Sequence, residues 1–599
     1  MIGDPAASAP TGGKDTDKQR PLSTGDKPLR WLSLPAVVYV FVTGCLTLSI
    51  LFTYSFWPTR NSRIVVGRWT FENYNTFFAD STYWGMLLRS FVFAALAAGL
   101  SVAVVFPVAY YVARRVRPSR RNLWIITAIL PFTASYIIRI YAWLNLFGQY
   151  GIINDVLLRL RIIQAPLEIL AYGRPVIIMT FVYLLFPLSF LTVYVAIERI
   201  DPTLMEAASD LGAGPLRTLA RVVLPIARTG VLAAFAFCFI SILGDYVTPT
   251  LIGGSQGAMY ANFVITKFDF SAEWGFGSAL AFLLLAAMLA VLFACRRSIG
   301  IVQSMGQYTR RYTPRHSVLL GMYSTLFILV LYAPIALLVL FAFNTSDVIG
   351  FPIQGLTLHW FKSLFDDPPL LQAVRTSLLV AAESVPISVV LGTLAAVQLA
   401  RTRGRWRSAS IGILALPFAL PPLMLGLGIL IGLHAIGVTR GLWTIVVGHI
   451  LLILPVVTFV VLVRVEGMDR NYELAALDLG ARPWQALVRV VIPQAFPAIL
   501  AAALLGLAIS IDEVVLTFLV TATDVTLPLF IYGSLRYGVT PEVNALSSLM
   551  ITVCFGIFGI TSVAARTRRG SAARRPQSHA DSHELNPQLS ERNNRLNGS

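Results

Sequence analysis

The stretch Glu206-Ala207-Ala208-Ser209-Asp210-Leu211-Gly212-Ala213 returns 268 residues later as Leu474-Ala475-Ala476-Leu477-Asp478-Leu479-Gly480-Ala481. The match runs outward from there. Pro215, Leu219, Arg221-Val222-Val223 and Pro225 recur as Pro483, Leu487, Arg489-Val490-Val491 and Pro493, and 14 of the 27 positions from Asp201 to Ala227 are identical at that displacement. Self-similarity at a fixed displacement marks a duplicated structural unit. Each copy, about 200–228 and 468–496, reads as an elbow: a short helix rich in Ala and Leu, a Gly that ends it, a Pro that opens the next turn and an amphipathic stretch leading on. A single copy is compatible with an interfacial hairpin that merely links two apolar segments. Two matching copies argue for a shared task.

What flanks the elbows is apolar. Of the 599 residues 56% are hydrophobic and 13% charged, with a mean hydropathy of +0.71, about half the charged fraction of a soluble chain. Apolar segments long enough to cross a bilayer fall at about 31–57, 86–113, 123–146, 175–197, 230–253 and 275–296. A second set falls at about 318–343, 374–400, 409–434, 442–465, 496–520 and 543–565. This predicts an all-α polytopic membrane protein of about twelve spans in two pseudo-symmetric six-helix bundles, and excludes a cytosolic enzyme, a secreted domain or a fibrous chain. Pro and Gly in 409–434 and 496–520 predict kinks or breaks there. The expected organisation is a disordered tail 1–30, a first half 31–300, a linker 301–316, a second half 317–565 and a disordered tail 566–599. Cys45, Cys238, Cys295 and Cys554 lie in or beside apolar runs without metal-ligand spacing and read as small core residues.

The net charge of +17 is concentrated in the connections. Arg114-Arg115-Val116-Arg117-Pro118-Ser119-Arg120-Arg121 follows the second span and Arg401-Thr402-Arg403-Gly404-Arg405-Trp406-Arg407 the eighth. If these loops face the cytoplasm, so do both tails, both elbows and the linker, and together they hold 34 of the 47 Lys and Arg residues. That asymmetry follows the positive-inside rule and predicts both termini in the cytoplasm. A nucleic-acid partner would need one contiguous basic face on a soluble domain, which the loops do not offer; the partner is the lipid bilayer.

The pattern Glu-Ala-Ala-x-x-Leu-Gly-Ala with a following Pro resembles the signature loop of the membrane subunits of ATP-binding-cassette importers. In that family the loop is a coupling helix seated in a groove of a cytoplasmic ATPase. The resemblance implies a first docking element at Glu206, Ala207, Ala208 and Gly212 and a second at Ala475, Ala476 and Gly480. The second copy departs from the pattern, with Leu474 at the acidic position and Glu473 one residue earlier, so its docking contact is expected to differ. The stretch Leu130-Pro131-Phe132-Thr133-Ala134-Ser135-Tyr136-Ile137-Ile138-Arg139-Ile140-Tyr141-Ala142-Trp143 resembles the first membrane subunit of spermidine/putrescine importers. Ile511-Asp512-Glu513-Val514-Val515, Thr526-Leu527-Pro528-Leu529 and Gly538 to Leu546 resemble the second. The resemblance implies the two subunits fused in one permease of a bacterial inner membrane. It also implies a cytoplasmic ATPase dimer that binds ATP and Mg, an extracytoplasmic substrate-binding protein, and polyamines as substrates, although opine and agmatine importers share much of the pattern.

An acid within a span costs about 2.5–3.5 kcal/mol on insertion scales, so one retained there faces a cavity or a partner. Asp245 and Glu513 stand 268 residues apart, with Asp512 beside the latter and Glu383 in another span. One reading has Asp245, Asp512 and Glu513 attract a cationic amine, with cation–π support from Tyr141, Trp143 and Tyr246. The other has the acids cap broken helices or pair with Arg139, Arg89 or Arg375, and the aromatics anchor spans at the interface. His434 and His449 suit a proton relay or, as packed hydrogen-bonded side chains, none. A weaker repeat sets Arg89-Ser90 against Arg375-Thr376, after Phe77-Phe78-Ala79-Asp80 and Leu364-Phe365-Asp366-Asp367, outer segments suited either to a binding protein or to capping helices. No phosphate-binding loop of the Gly-x-x-x-x-Gly-Lys-Ser/Thr type occurs, since Gly12-Gly13-Lys14 runs into Asp15, and no metal or catalytic spacing is present. The chain therefore reads as a non-enzymatic pathway that binds no cofactor itself and is powered from elsewhere. A twelve-span ion-coupled carrier is the competing plan.

Overall fold

The computed structural model describes residues 31–148, 151–167, 173–254, 257–269, 271–299, 318–346, 353–537, 541–553 and 555–556. Lipid offers no hydrogen bonds, so a spanning backbone must satisfy its own, as a helix does. Among the described residues nine helices are long and apolar enough to cross a bilayer. Two further pairs, Pro118–Phe132 with Tyr136–Arg159 and Arg405–Ala419 with Pro422–Ala435, each pass as one span bent by 84° and 104°. Eleven of the twelve expected segments thus have a helical counterpart. The twelfth, 543–565, is helical over its described residues, 543–553 and 555–556, and its remainder lies outside them, as do both tails and the linker 301–316. A two-stranded ribbon pairs Thr59 with Ile64 and Arg60 with Arg63.

Several spans are interrupted. The bend expected in 409–434 falls at Leu420-Pro421, after which Pro422 restarts the helix. The segment 496–520 is likewise divided, its helix ending at Asp512 and a short one resuming at Val515–Val520. Two expectations need correction. The span at 123–146 is not continuous but turns through a 3-10 segment, Leu130–Thr133, around Pro131, which lacks the N–H to carry an α-helix on. The span at 230–253 stops at Leu243, and a short helix Val247–Ile252 follows.

Contacts gather the chain into two units, each drawing on both halves of the sequence. In the first, residues 31–50 join Leu379–Ser510. The opening span, Leu34–Ser55, packs there among second-half helices: the Tyr39 hydroxyl donates to Val447 O at 2.6 Å and the Ser33 N–H to Gln398 Oε1 at 2.5 Å. Close approach depends on small residues. A Cβ at Gly428 or Gly432 would fall 3.0 or 2.9 Å from the Thr47 side chain.

The second unit joins the described residues of Leu51–Leu378 with those from Ile511 to 556. Its central helices are Ser81–Arg114, Arg174–Glu198 and Leu224–Leu243; Gly230 lies so near Ala196 that an added Cβ would sit 2.2 Å from the alanine's. Here the exchange is returned. Val318–Phe341, the first span of the second half, donates Tyr323 OH to Val104 O and Tyr332 OH to Thr127 O, both at 2.9 Å. Each half thus lends its first span to helices of the other.

Candidate functional site

The elbows share one construction. In the first, Asp201 accepts the Thr203 N–H at 2.9 Å and Pro202 opens helix Pro202–Asp210. The helix closes on Gly212, φ +78°, with Gly212 N–H donating to Ser209 O and Ala213 N–H to Ala208 O, both at 2.9 Å. In the second, helix Asn471–Asp478 closes on Gly480, φ +88°, whose N–H donates to Leu477 O at 2.9 Å while Ala481 N–H donates to Ala476 O at 3.0 Å. These paired bonds form a Schellman end, in which Gly takes the left-handed position. Pro215 and Pro483 then begin a further turn, and both copies pass through a π-helical turn, Leu219–Val223 and Leu487–Val491, before the long helix resumes.

Neither short helix has a buried residue. Glu206, Ala207 and Gly212 are exposed and Ala208 half-buried; Ala475 and Gly480 are exposed and Ala476 half-buried. Leu211 and Leu479, at equivalent positions, are 88% and 89% exposed, and Leu216 and Trp484 also face outward. Large apolar side chains held out by a polar connection mark a contact surface. Glu206 has no hydrogen-bond or ionic partner among the described residues. Glu473 is committed within the chain, to Arg401 at 2.9 Å.

Each elbow is tied to the basic loop of its own half. Arg121 pairs with Glu198 at 3.5 Å and donates to Ala113 O at 2.9 Å; Arg407 pairs with Glu466 at 2.6 Å and donates to Leu399 O at 3.1 Å. Arg114 adds bonds to Ile197 O and Ile200 O at the entrance of the first elbow. The arginines therefore gather the end of the helix before each elbow onto the end of the helix before each basic loop.

The acids of the broken spans lie elsewhere. Asp245 Oδ1 accepts the N–H groups of Val247 (2.8 Å) and Thr248 (3.2 Å), and Oδ2 accepts the hydroxyls of Thr248 (2.6 Å) and Tyr136. Glu513 Oε1 accepts the Leu516 N–H at 2.8 Å, the same three-residue reach. Both side chains hold the start of the helix that follows a break, and neither faces a cationic side chain among the described residues. Asp512 differs, taking the Tyr136 N–H at 2.5 Å and lying 4.0 Å from the buried Arg139, whose guanidinium also stands over Phe132.

Tyr246 is buried with its ring 5.8 Å from Phe518 and 6.5 Å from Tyr532, and its hydroxyl has no hydrogen-bond partner among the described residues. Trp143 stacks on Phe147 at 5.0 Å and meets Tyr183 at 5.4 Å; Tyr141 is fully buried on the same helix. The structure thus gathers Asp245 and Asp512 around Tyr136, while the ring contacts of Trp143 are aromatic. Tyr136 was not among the residues singled out from sequence, because its two acids stand 109 and 376 residues away. His449 is buried and hydrogen-bonded to Ser510 at 2.9 Å, whereas His434 is exposed. Asp80 and Asp367 take capping bonds from Thr82 N–H (2.8 Å) and Leu370 N–H (3.2 Å).

Comparison with known proteins agrees with this arrangement. The family model for binding-protein-dependent transport system inner membrane components matches residues 27–302 and 388–569. Over 237 residues the chain is 32% identical to the spermidine/putrescine transport system permease protein PotC of Haemophilus influenzae, covering 39% of this chain and 92% of that protein. The putrescine transport system permease protein PotI of Escherichia coli is 35% identical over 230 residues, 37% of this chain and 81% of its own length. The spermidine/putrescine transport system permease protein PotB of Haemophilus influenzae is 30% identical over 262 residues, 44% of this chain and 89% of its own. Each relative is nearly spanned by less than half of this sequence. The chain belongs to the family of binding-protein-dependent transport system inner membrane components, and it carries that family's domain twice.

Proposed function

We propose that this chain forms the membrane pathway of an ATP-binding-cassette importer, supplying both halves from one polypeptide, and that it takes up spermidine, putrescine or a related cationic amine. As a member of its family it is a translocation component and not an enzyme. The observation that carries the reading is the pair of elbows, exposed, apolar-tipped, closed by the same glycine bend and tied to the arginine loop of their own half. The positive-inside rule puts those loops, the elbows and both termini in the cytoplasm. There an ATPase dimer, holding ATP and Mg, grips the elbows and moves the helices between inward-open and outward-open forms. A soluble binding protein delivers substrate on the other side.

An amine suits the broken spans. Asp245 and Glu513 have hydrogen bonds but no counter-cation among the described residues, and the Tyr246 and Phe518 rings offer cation–π faces worth about 0.5–2 kcal/mol each, the Tyr532 ring already standing 5.9 Å from the Arg536 guanidinium. The names of the relatives point the same way. The elbows divide the docking work unequally: Glu206 is available to a basic residue of the ATPase, whereas Glu473 braces its own elbow through Arg401. Reconstitution of the chain with its co-purified ATPase and binding protein tests the proposal. ATP-dependent uptake of labelled putrescine or spermidine is the expected result. Uptake without ATP, with no ATPase retained, would make the chain an ion-coupled carrier; ATP-dependent uptake of an opine but no amine would keep the importer and overturn the substrate.

A further inference from the structure

A cleft of about 610 Å³ opens between the first turns of helices Ser81–Arg114 and Arg174–Glu198 and the segment 257–259. Its walls are largely apolar, and two arginines, Arg89 and Arg174, complete the lining. Neither guanidinium meets a carboxylate among the described residues. Arg89 Nε donates to Gly85 O at 3.2 Å, and Arg174 makes no hydrogen bond or ion pair there. Both side chains are exposed. Arginine stays charged at any physiological pH, so the mouth of the cleft carries two positive charges that no described carboxylate meets, above apolar walls.

The apolar wall continues beyond the cleft. Leu88, Val92, Leu96 and Leu100 recur at four-residue spacing along one face of the helix and are 55%, 48%, 63% and 46% exposed. Twelve residues of helix rise ~18 Å, close to the ~15 Å that one leaflet contributes to the hydrocarbon core. The charge excludes a cationic amine from this place, and a soluble anion would leave the stripe uncovered. We infer that the cleft binds an anionic glycerophospholipid, its phosphate held between Arg89 and Arg174 and one acyl chain laid along Leu88–Leu100.

The same pair of arginines does not recur among the described residues of the second half. Ser90 and Ser377 correspond, since each hydroxyl accepts the N–H that opens the helix after a broken span, Tyr260 at 2.9 Å and Leu527 at 2.8 Å. Counted from that match, Thr376 stands where the first half has Arg89. The lipid therefore belongs to one half, beside the hydroxyl that holds Tyr260. This inference rests on the membrane-spanning reading and is independent of substrate and ATPase.

Native mass spectrometry of the full chain in detergent, with phosphatidylglycerol and phosphatidylethanolamine as probes, tests it. Wild type should retain phosphatidylglycerol in preference, and the double variant Arg89→Gln/Arg174→Gln should retain it roughly tenfold to thirtyfold less, with phosphatidylethanolamine unaffected. Phosphatidylglycerol should raise the melting temperature of wild type and not that of the double variant, whose lipid-free melting temperature stays near wild type. Arg63→Gln/Arg68→Gln, two exposed arginines outside the cleft, should behave as wild type. Equal retention of the two lipids by wild type, undiminished phosphatidylglycerol in the cleft variant, or an equal loss in the Arg63/Arg68 variant would overturn the site.

Discussion

Gly212 and Gly480 adopt φ of +78° and +88°, and a Cβ at either would meet nothing within 4 Å. Their requirement is therefore conformational and not steric. Replacing either by Ala should cost about 1–2 kcal/mol, the left-handed penalty for an L-residue, and Asn should cost less; retention of the ATPase on a tagged chain, followed against temperature, measures both. At Asp245 and Glu513 the informative changes are Asp245→Asn and Glu513→Gln. An amide oxygen still accepts the N–H bonds that start the next helix, so these variants remove charge while keeping the cap. Amine uptake should fall at least tenfold with ATPase retention unchanged, and unaltered uptake would leave both acids as caps only. Tyr136→Phe takes a donor from the buried Asp245 carboxylate and should lower stability by about 1–3 kcal/mol, read as a drop in the melting temperature of the detergent-solubilised chain.

Elbow structure was the most legible part of the sequence, because helix, Gly, Pro and return act locally and each has its own residue chemistry. The π-turns at Leu219–Val223 and Leu487–Val491 left no such mark. Broken spans were half legible. Pro421 and Pro422 announce one, but the halt after Leu243 depends on a carboxylate folding back onto Val247 and Thr248, which in the sequence shows only as an acid in an apolar run. The weaker repeat was out by one residue: Arg89-Ser90 was set against Arg375-Thr376, whereas the bonds to Tyr260 and Leu527 pair Ser90 with Ser377. The identity of Arg89 and Arg375 suggests a displacement of 286, whereas the hydroxyls that hold the next helix lie 287 apart. The unequal elbows give a further expectation. Glu206→Gln should weaken ATPase retention, whereas Glu473→Gln should leave retention intact and lower uptake per ATP hydrolysed. The exchanged pair Arg401→Glu/Glu473→Arg should restore that ratio, since the 2.9 Å contact is made by side chains only 16% and 14% exposed.

Twelve apolar runs and a basic bias were enough to read the molecule as two sets of membrane helices, because hydropathy reports what solvent each segment meets. Which bundle receives each first span was not readable, since Leu34–Ser55 and Val318–Phe341 are mostly apolar and lipid-facing Leu resembles protein-facing Leu. The exchange predicts how the chain responds to cutting. Severed within 301–316 and co-expressed, the two fragments should co-purify through a tag on one of them and retain uptake within a fewfold of the intact chain. Residues 1–300 expressed alone should aggregate, lacking the second-half helices that take up Tyr39 and Ser33. Fragments that fold separately and fail to associate would contradict the exchange.

Reciprocal lending of the first spans also settles the arithmetic of assembly. Were the halves free polypeptides, two of one kind could pair by trading like for like, and half of random encounters would be wasted on such twins. Here both berths are filled from within the chain. Any partner that grips the elbows would meet two unlike handles on one polypeptide, with Glu206 in the first and Leu474 at the matching position of the second.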